Sequence, residues 1–125
     1  MITGIVTAEH EAVVNLIIRG SNGQERTVPV VIDTGFTGWL TLPLAVITEL
    51  ELIWLTKGQA LLANGQIEIF DVYIATLIWD REVRRVMVDA AETDPLLGMS
   101  LLNGYEMCIQ NIINGEVTIQ PILTI

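Results

Sequence analysis

The chain has 125 residues, 51% of them apolar, with 15 acidic against 6 basic side chains and a net charge of −9. That length sets one compact domain over residues 1–125, and the apolar content suits a filled core or a core plus an interface between copies. The negative field excludes nucleic acid as a partner by repelling its phosphates, and no run of about 18 apolar residues offers a membrane span.

Turn signals punctuate short apolar runs along the whole chain, which reads as mainly β. Residues 2–8 and 12–19 are expected as strands, Ser21-Asn22-Gly23 as a turn, and residues 27–32 as the returning strand. Pro29 lies inside that strand, so one of its edges should lack a ladder partner there. Residues 39–42 form a short strand, and Pro43 suits the first turn of a helix reaching about Leu50. Residues 59–63 and 66–78 flank Asn64-Gly65, the strongest kind of short hairpin signal. A second hairpin turns at residues 80–82 and returns over 83–88. Leu96-Leu97-Gly98 is a short buried run before a brief helix at 99–102, which Asn103-Gly104 would cap. Residues 105–110, Asn114-Gly115 and residues 116–120 make the last hairpin. Two short helices among many strands point to a small β-barrel or sandwich.

The run Val30-Val31-Ile32-Asp33-Thr34-Gly35-Phe36-Thr37-Gly38 is the most informative part of the chain. A carboxylate ending a buried strand is costly to desolvate unless it is hydrogen-bonded or used. Asp-Thr-Gly occurs once. If Asp33 carries acid–base chemistry between two carboxylates, two chains must meet to supply them. The other reading of Asp33 is a turn-capping residue bonding its own backbone. A phosphate-cradling loop is excluded, because no glycine-rich turn ends in Lys-Ser or Lys-Thr.

Three features follow in order: the strand delivering Asp33-Thr34-Gly35, a hairpin some thirty residues later, and Leu96-Leu97-Gly98 leading into a short helix. This order resembles the retropepsin-like aspartic proteases of clan AA. Asp33-Thr34-Gly35-Phe36-Thr37-Gly38 with Leu97-Gly98-Met99-Ser100-Leu101-Leu102 resembles their prokaryotic single-domain branch with an Asp-Thr-Gly-Phe motif. The resemblance covers roughly residues 27–120 and implies a closed β-barrel with one or two short helices, one lobe per chain. It implies an aspartic endopeptidase that is a homodimer, with Asp33 of each copy forming a dyad and Thr34 locking the two loops across the axis. Gly35 would let backbone approach the carboxylate closely. Phe36, Thr37 and the hairpin tip Ala63-Asn64-Gly65 would face a peptide or protein substrate, the tip as a flap. Leu97 and Gly98 would pack behind the loop, and residues 116–120 would add to the dimer sheet. Retroviral relatives have a more glycine-rich flap tip and a smaller residue at the Phe36 position. No cofactor or metal is implied beyond the attacking water. The alternative is a catalytically silent β-barrel of the same fold that binds a peptide or protein strand by backbone pairing.

The remaining residues read more plainly. His10 is the only histidine and suits the surface, and one His with one Cys builds no ordinary zinc site. Cys108 has no internal disulfide partner and suits a reducing cytoplasm as a core or interface thiol. The N-terminal residues lack the basic and apolar blocks of a secretion signal. Trp39, Trp54 and Trp79 suit core or pocket walls, and Arg84-Arg85 an exposed pair.

Overall fold

The computed structural model describes residues 1–123. The chain is mainly β. Its strands are β1 (Ile2–Val6), β2 (Ala12–Arg19), β3 (Glu25–Ile32), β4 (Leu40–Leu42), β5 (Ile53–Leu61), β6 (Ile67–Trp79), β7 (Glu82–Ala90), β8 (Leu96–Leu97), β9 (Tyr105–Ile109) and β10 (Glu116–Pro121). Two short helices, α1 (Leu44–Glu49) and α2 (Met99–Leu102), complete the elements.

The strands form one sheet in the order β5-β6-β7-β4-β8-β3-β2-β1-β10-β9. An added pairing of β6 with β2, through Ile17 with Ile78 and Ile18 with Leu77, closes β2-β3-β8-β4-β7-β6 into a ring. Two contacts inside the ring are parallel: β3 with β8 and β4 with β7. Alternation sets the inward face. In β2, Val14, Leu16 and Ile18 are buried, and in β6, Ala75, Leu77 and Trp79 are. These meet Val30, Leu40, Val88 and Leu97 in one core. Trp79 is fully buried and packs edge-on against Tyr105 with centroids 5.4 Å apart.

Turn chemistry places the hairpins where the sequence does. Asp80 and Arg81 both have positive φ, 49° and 71°, as a two-residue primed turn requires. Pro29 pairs with Asn15 on one side, while β8 reaches only Val31 and Ile32 on the other. The edge beside the proline is therefore open, as its missing N–H demands.

Three expectations need correction. Residues 53–58 extend β5 well before the expected start at residue 59. Pro43 is the extended residue preceding α1 rather than its first turn. Residues 116–120 cannot add to a dimer sheet, because β10 is already paired on both sides, with β1 and β9. The free edge at that end belongs to β9.

Beyond the ring, β5 and the first part of β6 project as an arm. Almost every residue of β5 is exposed, and Leu61, Ile67 and Ile69 are 76%, 61% and 65% exposed.

Candidate active site

Asp33 follows directly on β3, and its position is set by the parallel pairing of that strand with β8. Val31 N–H donates to the Pro95 carbonyl at 2.8 Å, and Asp33 N–H donates to the Leu97 carbonyl at 2.9 Å. The strand end is thus fixed against residues some sixty positions away. The half-buried Asp33 carboxylate accepts from Gly35 N–H at 2.9 Å, and Phe36 N–H donates to the Asp33 carbonyl at 3.1 Å. An N–H aimed at a carboxylate oxygen fixes its orientation.

Gly35 does not have positive φ. Its importance is proximity: an added Cβ would lie 3.3 Å from Asp33 Oδ1. Thr34 is exposed and borders a groove with Val6, Ala12, Ile109 and Asn111.

The loop is clamped to the start of α2 by three backbone bonds. Gly98 N–H donates to Trp39 O at 3.0 Å, Met99 N–H to Phe36 O at 2.8 Å, and Ser100 N–H to Gly38 O at 3.1 Å. The Ser100 hydroxyl adds a fourth, to the carbonyl of Thr37 at 2.5 Å. Leu97 is fully buried in the core behind the loop. Phe36, read from the sequence as substrate-facing, lies half-buried against the loop's own backbone. A Cβ on Gly38 would meet its ring at 2.5 Å, and a Cβ on Gly98 would meet the ring at 2.7 Å and Gly38 O at 2.2 Å. Both glycines are therefore the space that the ring occupies. Thr37 stays exposed.

The hairpin tip Ala63-Asn64-Gly65 is exposed at the end of the β5–β6 arm. Gly65 has φ +83°, a conformation glycine adopts without steric cost. Asn64 Oδ1 accepts from Gln66 N–H at 3.0 Å. Among the described residues no hydrogen bond joins this tip to the Asp33 loop. The structure thus brings Asp33, Thr34, Gly35, Phe36 and Thr37 together with Leu97 and Gly98, and sets the tip on a separate arm.

Sequence reasoning missed Asp89. It lies on β7, opposite Thr41 of β4 and Val72 of β6. Its Oδ2 is 3.5 Å from the Cβ position of Gly38. It is half-buried, burial raises its pKa above the ordinary 3.8, and among the described residues it has no hydrogen-bond or ion-pair partner. A single acid in a strand reads as solvated, so only the pairing of β7 with β4 reveals it. Arg84, expected to be exposed, is half-buried with its guanidinium 5.8 Å from the Trp39 ring centroid. Lys57 bonds Asp71 at 3.0 Å; that contact first, with Trp54 Nε1 at 3.1 Å second, holds the Asp71 carboxyl below its ordinary range.

Among the described residues, no three His, Cys, Asp or Glu side chains are grouped to hold a metal ion, and no helix is long and apolar enough to cross a membrane. No family model matches the sequence, no curated protein matches it, and no solved structure matches its fold.

Proposed function

We propose that this chain is one half of an aspartic endopeptidase, its ring of strands forming a retropepsin-like closed barrel and its active unit a homodimer. The observation that carries this reading is the Asp33 loop: a lone Asp-Thr-Gly whose carboxylate accepts Gly35 N–H and whose backbone is bonded to the Leu97–Gly98 segment. One such carboxylate makes no dyad, so the second comes from another copy.

Two carboxylates brought together share one proton, because both cannot ionise easily at close range. The ionised one takes a proton from a bound water, which attacks the peptide carbonyl. The protonated one supports the developing oxyanion, and a proton then passes to the leaving nitrogen. Proton transfer by positioned groups is worth about 10²–10⁴-fold. Thr34, exposed beside the groove at Ile109 and Asn111, is on the surface that would meet the second copy. The β5–β6 arm would cover bound peptide and exclude water. A reducing cytoplasm suits this reading, with Cys108 an exposed thiol on β9.

The test is to incubate wild type and Asp33→Asn with a diverse peptide pool between roughly pH 4 and pH 7, where a shared-proton dyad works, and to read cleavage by mass spectrometry. Sedimentation of the same samples reports the oligomer. The variant should keep fold and dimer and lose cleavage. Equal turnover by the variant refutes the mechanism. A confirmed dimer that cleaves nothing favours the binding-module alternative.

A further inference from the structure

Asp89 is a carboxylate in an unusual position. Its Oδ2 is 3.5 Å from the Cβ position of Gly38, in the loop that carries Asp33. Pairing of Val72 with Asp89 puts these two side chains on one face of the sheet. By strand alternation Phe70 and Glu68 share that face. Phe70 lies over Gly58, whose Cβ position is 2.5 Å from its ring and 3.3 Å from Val72. Half-buried Phe70 and buried Val72 therefore lie between the base of the arm and Asp89, and Phe70 is the apolar side chain of the two that reaches the surface.

Among the described residues no Lys or Arg forms an ion pair with Asp89. Lys57 pairs with Asp71, which alternation sets on the opposite face of the arm. Arg19 and Arg26 pair with Glu25 and Glu49, and Arg84 packs on Trp39. A partly desolvated carboxylate gains most from a cation that brings its own charge. A Lys or Arg side chain can bring its head to Asp89 with its aliphatic stem beside the half-buried Phe70 ring.

We infer that Asp89 is the specificity-determining residue of the site and receives a Lys or Arg side chain of a bound peptide. Burial raises the Asp89 pKa, and no ion pair among the described residues offsets that desolvation. The inference rests on the endopeptidase reading for its cleavage readout but not for its binding readout.

Wild type, Asp89→Asn and Asp89→Lys are profiled against the same peptide pool. Wild type should cut peptides enriched in Lys or Arg at one position relative to the scissile bond. Asp89→Asn should lose that enrichment, and Asp89→Lys should turn it toward Asp or Glu. In parallel, Asp33→Asn and Asp33→Asn/Asp89→Asn are titrated with two matched decapeptide pools, one with lysine and one with norleucine at a fixed central position. The lysine pool should bind about tenfold tighter through one charge-assisted contact, and only when Asp89 is present. Asp33-dependent cleavage whose profile is the same in Asp89→Asn overturns the inference. So does equal retention of the two pools. Lysine-selective, Asp89-dependent binding without cleavage by wild type supports the inference and refutes the endopeptidase.

Discussion

Replacing Gly98 by alanine tests the packing that holds the Asp33 loop. The new Cβ would lie 2.2 Å from Gly38 O and 2.7 Å from the Phe36 ring. A backbone oxygen held by Ser100 N–H cannot retreat without breaking the clamp. The cost should reach the upper end for overpacking, about 3 kcal/mol, which lowers Tm by about 12 °C at this chain length. Gly38→Ala is different, because its Cβ meets the Phe36 ring at 2.5 Å and no backbone atom at that range. A ring can tilt, so the cost should be about 1–2 kcal/mol. Phe36→Ala separates the two. Alone it should cost about 2 kcal/mol, less than full burial of a phenylalanine would. In its background Gly38→Ala should become nearly neutral, a coupling of about 1–2 kcal/mol, while Gly98→Ala should keep most of its cost. Urea titration and thermal melts of the three single and two double variants beside wild type give all the terms. Equal rescue of both glycine variants would show that Gly38 O is not the obstacle, and a harmless Gly98→Ala would refute the description of the loop.

Three further outcomes are expected. Arg81→Gly should stabilise the protein by about 1 kcal/mol, because it relieves a non-glycine residue at φ 71° in a two-residue turn; a lower melting temperature would count against that turn. Asp89→Asn should melt above wild type at neutral pH. Burial raises the Asp89 pKa in the folded state, so the fold favours the protonated acid. The penalty is absent below the ordinary 3.8 and sets in as pH rises through the raised value. The gap between variant and wild type should therefore close on acidification, and a gap independent of pH would contradict this. Ser100→Ala should cost about 1 kcal/mol by removing the bond to Thr37 O, and unchanged urea midpoints would show that bond to be idle.

Much of this architecture was legible because its signals are local. Asn64-Gly65, Asn114-Gly115 and the alternation of Val14, Leu16 and Ile18 each specify a turn or a face within a few residues. The strand Ile53–Leu61 was not, since its first half follows α1 without a turn dipeptide and is exposed on both faces. The proximity of Asp33 and Leu97 was an expectation from the family resemblance, and the pairing of β3 with β8 supplies its physical form. Gly38 stood in the motif without a reason until the Phe36 ring was seen against it. Asp89 had no local signal at all, because its place is decided by β4, some fifty positions earlier in the chain.

The long-range pairings around Asp33 also govern time. Leu40 pairs with Val88, and Leu96 with both Thr41 and Val31, so no hairpin joins β7, β4, β8 and β3 to one another. Closing such long loops costs chain entropy before any contact repays it. The hairpins β2–β3, β5–β6 and β6–β7 are able to form early, while the Asp33 loop waits until distant segments meet. A refolding chain should therefore recover strand signal ahead of any Asp33-dependent property. A partly folded molecule holds an isolated aspartate on a loose loop, so the site comes into being only in a finished fold.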